Sequence, residues 1–246
     1  MGKKVKLFVF SDVHGHVEAL QSALAFAGYD PRDRRHILVD CGDNFDRGPQ
    51  NALMYRLLGR LPRRSVLLCG NHEEMLVDLL SGGTDFGKYE DNGTLQAAAE
   101  LLRVPCERLV RYPERTAKNL RARRIVRRIA RMREFFETKH YVFVHGWLPT
   151  YTDENGQRRI PADWRQAAPE AWAVARWDAW VDAWEKGLVL PDKTVVCGHR
   201  ECAQGHRRFH GTVSDAPFRD AGVIAIDACT VRSGLVNVLV LEDELL

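Results

Sequence analysis

The pattern of apolar and polar positions along the chain predicts short buried strands that alternate with helices. Six short runs, at 5–10, 37–41, 66–69, 141–144, 195–197 and 223–226, are rich in β-branched or aromatic residues and mostly lack polar alternation. Such runs indicate strands buried on both faces. Residues 17–27 and 53–61 carry apolar side chains at helical spacing, so the N-terminal part predicts βαβ units and an α/β fold. A last run at 235–241 follows Ser233-Gly234, and we expect it to return as a hairpin with the preceding strand.

A basic stretch interrupts this alternation at about 94–138. Ile125, Val126, Ile129 and Met132 would form one apolar stripe of a helix, with arginines over the other faces. The net charge of the chain is only +3, yet 111–140 holds eleven Lys or Arg against three Glu. We interpret this stretch as a solvated helix face, with contact to nucleic acid or another polyanion as the alternative.

A second stretch, at about 160–187, is rich in tryptophan. Trp177, Trp180, Val181 and Trp184 would share one helical face, which is typical of a core stripe, with a platform for stacking a substrate as the alternative. Since no Gly/Ser-rich or Pro-rich linker bounds either stretch, we predict a single domain over 1–246 with two helical insertions.

The composition supports one large folded unit. The 246 residues include 45% hydrophobic and 28% charged residues, which excludes a disordered chain or a small stapled scaffold. No apolar run approaches the roughly 18 residues of a membrane span, and the basic start does not lead into a cleavable signal. We therefore expect a cytoplasmic protein. Its six cysteines form no CxxC pair, which argues against a disulfide framework or a zinc module; Cys41, Cys69 and Cys197 are interpreted as buried residues at strand ends.

Polar motifs follow five of the predicted strands: SDVHG at 11–15, GDNFDRG at 42–48, GNHE at 70–73, HG at 145–146 and GH at 198–199. Taken singly, each is explained by a turn, a helix cap or a hydrogen-bonded histidine. Together they predict a site, because the carboxyl ends of parallel strands meet at one edge of a sheet. Aspartate, histidine and amide donors suit manganese, iron or zinc, and the absence of thiolate argues against a purely structural zinc.

The order of these motifs resembles that of the PPP-type calcineurin-like metallophosphoesterases, and GNHEEM resembles the small bacterial and phage serine/threonine protein phosphatases. The resemblance extends from Asp12 to about Gly234. It implies a sandwich of two central β-sheets flanked by helices. It also implies two divalent metal ions, with manganese as the first expectation and iron or zinc as alternatives.

Carried over to this sequence, the resemblance assigns six metal ligands. It makes Asp43 the bridging carboxylate and distributes the others as Asp12 and His14 on one ion, and Asn71, His145 and His199 on the other. Two neighbouring cations repel each other, so they need an anionic ligand that both share. Together they lower the pKa of a water that bridges them, so that hydroxide can attack phosphorus near neutral pH.

The same resemblance assigns the groups that handle protons and phosphate. His72 would be the general acid, Asp46 would orient it, and Arg47 would bind phosphoryl oxygens. For a further phosphate-binding arginine we rank Arg232 ahead of Arg176 and Arg200. His16 is expected to be a loop residue. The pair His206 and His210 at i,i+4 could bind metal if helical, but the arginines between them and the loop-like flanks favour a solvated role.

These assignments predict a two-metal phosphoesterase. Its substrates would be phosphoserine or phosphothreonine proteins or small phosphorylated molecules, with dinucleoside polyphosphate hydrolysis as the alternative. A nucleic-acid-binding module that uses 111–140 is a remoter one. The sequence departs from the family pattern at two places: Cys69 stands where the family usually has arginine, and CTVRSG at 229–234 replaces an aromatic-containing substrate loop. The sequence therefore does not identify the substrate.

Overall fold

Strand β1 (Lys4–Phe10) shows how the apolar runs build the centre of the fold. Because successive side chains of a strand point to opposite faces, Leu7 and Val9 pack into a core between two sheets, while Phe8 and Phe10 pack against helices. Both faces are therefore buried, which explains the lack of polar alternation. The computed structural model describes residues 3–246.

The first sheet contains four strands in the order β11-β1-β2-β3. Strand β2 (His36–Asp40) pairs with β1 and with β3 (Val66–Leu67) in parallel register, as expected for βαβ units. The connecting helices are α1 (Val17–Phe26) and α2 (Asn51–Leu58).

The second sheet has the order β4-β5-β8-β10-β9. Its parallel centre consists of β5 (Tyr141–Phe143), β8 (Thr194–Cys197) and β10 (Val223–Ala225). Strands β4 (Phe136–Glu137) and β9 (Phe218–Asp220) form its two edges and pair antiparallel with β5 and β10, respectively. A separate hairpin joins β6 (Tyr151–Thr152) to β7 (Arg158–Arg159).

Helices cover the outer face of each sheet, and the predicted sandwich is thereby confirmed. The first sheet is covered by α1 and α2 together with α3 (Asn71–Leu80), α4 (Phe86–Asp91), α5 (Thr94–Leu102), α6 (Cys106–Arg111) and α8 (Leu120–Ile129). Helix α7 (Pro113–Lys118) contacts α3, α6 and α8. The second sheet is covered by α9 (Pro169–Ala175), α10 (Trp180–Glu185) and α11 (Cys202–Gly205), and α12 (Thr230–Ser233) precedes the last strand. No helix within residues 3–246 combines the length and the apolar character needed to cross a membrane.

The predicted hairpin at the C-terminus is wrong. Strand β11 (Leu239–Glu244) pairs antiparallel with β1 in the first sheet, and not with β10. The reason is that β10 already has a partner on each edge, β8 and β9, whereas β1 has an edge that only β11 fills. The C-terminal strand therefore belongs to the sheet that contains the N-terminus.

The basic stretch contains several short helices rather than one. Its predicted apolar stripe is confirmed, since Ile125 and Ile129 of α8 are buried and Val126 and Met132 pack partly against the same core. This core also contains Phe8, so α8 packs on the outer face of the first sheet.

The tryptophan stripe does not form a single helical face. Trp180 and Val181 of α10 are buried, and Trp184 packs partly against the same core. Trp177 lies between α9 and α10, and its side chain is 38% exposed. The break in the helix before α10 separates Trp177 from the core, which the helical spacing could not indicate.

Candidate metal centre and active site

The carboxyl ends of five parallel strands bring the predicted side chains together. Asp12 follows β1, Asp43 follows β2, Asn71 follows β3 as the first residue of α3, His145 follows β5, and His199 follows β8. The first four are buried, and His199 is partly buried. The two sheets therefore present these residues at one shared edge, where ligands of open α/β sheets bind.

The loops that hold these side chains adopt a backbone conformation that is costly for residues other than glycine. Within residues 3–246, eight non-glycine residues have φ between +46° and +74°, and each costs on the order of 1–3 kcal/mol. Six of the eight are predicted site residues, namely Asp12, His14, Asp43, Asp46, Arg47 and His199. Strain is thus concentrated at the candidate site.

Two glycines let the carboxylates approach the backbone closely. A Cβ at Gly70 would lie 2.2 Å from Oδ1 of Asp43, and a Cβ at Gly198 would lie 2.2 Å from Oδ2 of Asp12. Any other residue at either position would displace a carboxylate from the site.

Asp43 lies at the centre of the cluster. Nε2 of His145 is 3.4 Å from its Oδ1, and Nε2 of His14 and Nε2 of His72 are each 3.9 Å from its Oδ2. Burial alone would raise the pKa of Asp43, but the charges of His145 and His72 hold it well below the usual range. The two oxygens of one carboxylate thus face different ligand groups, as a bridging role requires.

The backbone sets the tautomer of two histidines. Nδ1 of His14 donates to the carbonyl oxygen of Phe45, and Nδ1 of His145 donates to that of Cys41, each at 2.8 Å. A neutral ring that donates from Nδ1 carries its lone pair on Nε2. Both rings therefore offer Nε2 to the cluster, which is how metal-binding histidines are oriented.

Oxygen atoms converge on Nε2 of His145. Oδ1 of Asn71 lies 2.8 Å from Nε2 of His145, and Oδ1 of Asp43 lies 3.4 Å from it. Burial lowers the pKa of His145, but Asp43, Asp12 and Glu73 outweigh this effect and raise it to about 10. The surroundings thus favour a positive charge at Nε2, either a proton or a cation. A bound divalent ion would take the place of the proton and be coordinated by Nε2 and both oxygens, so this set of atoms fits such an ion.

The surroundings hold more negative charge than the protein neutralises. Burial raises the pKa of Asp12 to about 7 and that of Asp40 to about 8, and neighbouring carboxylates add to both shifts. Carboxylates in such a cluster repel one another, and cations relieve the repulsion.

Two groups of ligand-type atoms share Asp43. One contains His14, Asp43 and His72, the other contains Asp43, His145 and His199, and within each group the atoms lie within 4.8 Å of one another. The first group differs from the predicted set, because it includes His72 and lacks Asp12. Oδ2 of Asp12 instead accepts the backbone N–H of His199 at 3.0 Å.

His72 has the contacts of a positioned proton donor. Its Nδ1 donates to Oδ2 of Asp46 at 2.7 Å, and both side chains are buried. The hydroxyl of Thr94 donates to the same oxygen. With Nδ1 held by Asp46, Nε2 of His72 is the atom that faces Asp43 and the centre.

The candidate phosphate-binding arginines differ in whether acidic side chains already pair with them. Arg47 is exposed, and its Nη1 lies 3.3 Å from Nε2 of His14. Arg176 is held by Glu134 and Glu74, and Arg232 is held by Glu201 and Asp215. Arg200 is exposed beside His199 and forms no ion pair within residues 3–246. A phosphate at Arg232 or Arg176 would have to compete with two carboxylates.

The remaining histidine candidates lie outside the two ligand groups. Nδ1 of His16 is 2.8 Å from the carbonyl of His14 in the loop before α1. His206 and His210 lie on a π-helical turn, where His206 is partly buried and His210 is exposed. Nε2 of His206 donates to the carbonyl of Ala216.

Sequence reasoning missed four polar residues at this edge. Glu73 accepts the backbone N–H groups of Gly70, Asp43 and Asn44, although it lies within the GNHE motif. Asp40 accepts from Gly42 and Asn44. Asp227 follows β10 as the other polar residues follow their strands, so the same pattern could have identified it. Thr94 carries no such signal. These four are Asp40, Glu73, Thr94 and Asp227.

Comparisons with known proteins agree with this arrangement. The family model described as Calcineurin-like phosphoesterase matches residues 5–224. Serine/threonine-protein phosphatase 2 of Escherichia coli (strain K12) is 34% identical over 107 residues, which cover 39% of this chain and 47% of that protein. The symmetrical bis(5'-nucleosyl)-tetraphosphatase of Dechloromonas aromatica (strain RCB) is 33% identical over 98 residues, which cover 40% of this chain and 33% of that protein. The matched stretch thus spans less than half the length of either relative.

Solved structures share the fold. One that carries a provisional description as a diadenosine tetraphosphatase superposes with a TM-score of 0.57 at 17% identity, and the alignment covers 97% of this chain and 94% of that one.

Proposed function

The chain belongs to the calcineurin-like phosphoesterase family, and on that premise we propose that it hydrolyses phosphomonoesters of phosphoserine or phosphothreonine proteins or of small molecules. The observation that carries the proposal is the buried His72–Asp46 pair beside the ligand groups that share Asp43. A positioned proton donor next to a cation site is the arrangement that phosphate ester hydrolysis needs.

We propose that Asp12, His14, Asp43, Asn71, His145 and His199 hold two divalent ions, manganese before iron or zinc. When bound, the ions polarise the phosphoryl oxygens and lower the pKa of water. Asp43 would offer one oxygen to each ion, and His14 and His145 would offer Nε2, because their Nδ1 atoms are held by backbone carbonyls. His72 would remain a proton donor despite its place in the first ligand group.

The protein's own side chains perform the remaining steps. Arg47, which forms no ion pair within residues 3–246, would bind phosphoryl oxygens through its planar guanidinium group. His72 would give the proton on Nε2 to the leaving oxygen, while Asp46 accepts from Nδ1 and stabilises the charged ring. Among the further arginines, Arg200 is now favoured over Arg232, because Arg232 is held by Glu201 and Asp215.

A second candidate, dinucleoside polyphosphate hydrolysis, is supported by Trp177. Its indole lies beside His199 with ring centroids 6.2 Å apart, and Nζ of Lys88 lies 4.7 Å from the indole ring centroid. An exposed aromatic ring next to a cation offers a surface for a base and for a phosphate chain.

A phosphate-release panel with added manganese separates the two candidates. It compares a phosphoserine peptide, p-nitrophenyl phosphate and diadenosine tetraphosphate as substrates. The control is protein treated with a chelator to remove metal, and elemental analysis of the purified protein identifies the bound metals. We expect release from the first two substrates and its loss on chelation. Preference for the tetraphosphate would favour the second candidate, and equal activity of the chelated protein would overturn the metal assignment.

We also propose a cytoplasmic location. All six cysteines are free, which suits a reducing compartment.

A further inference from the structure

The solvent side of α8 and the turn that follows it carry exposed arginines. Arg123, Arg124 and Arg127 lie on α8, Arg131 lies in the turn after Ala130, and all four are exposed. Residues three and four positions apart on a helix are neighbours, as Arg124 and Arg123 are to Arg127. We call these four residues the basic face. The opposite side of α8 is buried through Ala122, Ile125 and Ile129.

The basic face has no acidic partners. Residues 115–133 include nine Lys or Arg and no Asp or Glu. Among residues 3–246, none of the four arginines forms an ion pair. Arg123 and Arg127 donate only to backbone carbonyls, at Ala117 and Arg123 respectively. A helix face whose only role is solubility ordinarily mixes both signs of charge.

The arrangement also costs the helix stability. Arg123 and Arg127 are one like-charge pair at i,i+4 within α8, and Arg124 and Arg128 are a second. Such pairs destabilise a helix. The buried side of α8 contributes the packing that holds the helix in place, so folding does not require four unpaired arginines on the other side.

The positive surface extends beyond α8. The guanidinium group of Arg128 lies 4.2 Å from the ring centroid of Tyr55 and donates to the carbonyl oxygen of Tyr55. A Cβ on Gly59 would lie 2.8 Å from Nη1 of Arg128, so the end of α2 contacts α8. Arg60 follows Gly59, is exposed, and adds a charge beside the basic face.

We infer that the basic face binds the phosphate backbone of a nucleic acid, independently of the proposed hydrolysis. A polyanion supplies the negative charge that the protein lacks here, and arginine binds phosphate oxygens through a planar fork. A lipid surface fits less well, because the apolar side of α8 is buried and only Leu120, at the first turn, is exposed. Sequence-independent contact follows from a surface made of charge alone.

Fluorescence anisotropy of a labelled 20-bp DNA duplex and a labelled 20-nucleotide RNA, measured across a salt series, tests the inference. The variant Arg124→Gln/Arg127→Gln/Arg131→Gln removes three charges. We expect the intact protein to bind at least one probe, and the variant to lose about tenfold or more in affinity at low salt. For the duplex, the slope of log affinity against log salt should fall by roughly 3, which corresponds to three lost phosphate contacts.

The matched control is Arg32→Gln/Arg34→Gln/Arg219→Gln, which removes three exposed arginines elsewhere and should bind within about twofold of the intact protein. Hydrolysis of p-nitrophenyl phosphate should be unchanged in both variants, since neither touches the candidate site, and their melting temperatures show that they fold. Equal losses in the two triple variants would overturn the inference. The inference would also be overturned if the intact protein bound vesicles of anionic lipid but neither nucleic acid.

Discussion

Nδ1 of His72 donates to Oδ2 of Asp46 at 2.7 Å inside the protein, where both side chains are buried. The contact fixes the orientation of the imidazole ring and places Nε2 on the side of Asp43. Oδ1 of Asp46 has no hydrogen-bond partner within residues 3–246, so the carboxylate interacts with the ring through one oxygen.

Replacement of His72 should reveal its part in proton transfer. We expect His72→Ala to reduce kcat by about 10²–10⁴, the usual contribution of a general acid. The loss should be larger for phenyl phosphate than for p-nitrophenyl phosphate, because nitrophenolate leaves without needing a proton. Steady-state kinetics on both substrates provide the measurement. An equal loss on both would show that His72 contributes to cation binding instead of proton transfer.

Thr94 should affect the rate through Asp46 and not through the substrate. Its hydroxyl donates to the same carboxylate oxygen that His72 contacts, and a hydrogen bond to a charged group contributes roughly 1.5–3 kcal/mol. We expect Thr94→Val to lower kcat about tenfold with little change in KM. Thr94→Ser keeps the hydroxyl and should restore most of the rate. A serine variant as slow as the valine variant would indicate a packing role.

Glu73 should support the loop that contains Asp43. Its Oε2 accepts from the backbone of Asp43 and Gly70, and its Oε1 accepts from Asn44. In Glu73→Gln the amide nitrogen must face at least one of these N–H groups, which costs about 1–3 kcal/mol. We expect the melting temperature to fall by roughly 2–12 °C in a chain of this size.

Calorimetry of the Glu73 variant is compared with Glu154→Gln, which alters an exposed loop residue. The control should have the same melting temperature as the unaltered protein. A melting temperature unchanged in Glu73→Gln would show that the loop does not depend on the carboxylate.

Much of the candidate site could be predicted from the sequence because strand geometry is local. A buried strand needs only a short apolar run, and its carboxyl end must lie at the sheet edge. Asp43 and His145 are 102 residues apart in the chain, yet Nε2 of His145 is 3.4 Å from Oδ1 of Asp43. The motifs therefore predicted which residues meet, without predicting the distances.

Contacts that depend on the packing of separate elements could not be predicted in this way. Strand β11 pairs with β1 because β10 already has a partner on each edge, and this depends on the arrangement of both sheets together. Thr94 lies 48 residues from Asp46 at the start of α5 and belongs to no motif, so only the packing of α5 brings its hydroxyl to that carboxylate. The exposure of Trp177 likewise depends on a break between two helices.

Asp243 should make stability depend on pH, away from the candidate site. It lies on β11, and its carboxylate accepts from the hydroxyl of Thr138 at 2.6 Å and from the backbone and Nδ1 of His140, at 2.9 and 2.6 Å. Burial alone would raise the pKa of Asp243, but these hydrogen bonds outweigh it and lower the pKa. The bonds join the C-terminal strand of the first sheet to the turn before β5 in the second sheet.

A carboxylate with a lowered pKa stabilises the fold above its unfolded pKa, which is about 3.9 for aspartate. The stabilisation is lost as the pH falls through the lower, folded value. Asp243→Asn should therefore melt below the unaltered protein at about pH 7, and the difference should shrink toward about pH 3. Thermal melts across this range provide the test, with the exposed Glu242→Gln on the same strand as the control. A difference that stays constant across the range would contradict the assigned role, because an uncharged contact would be lost equally at every pH.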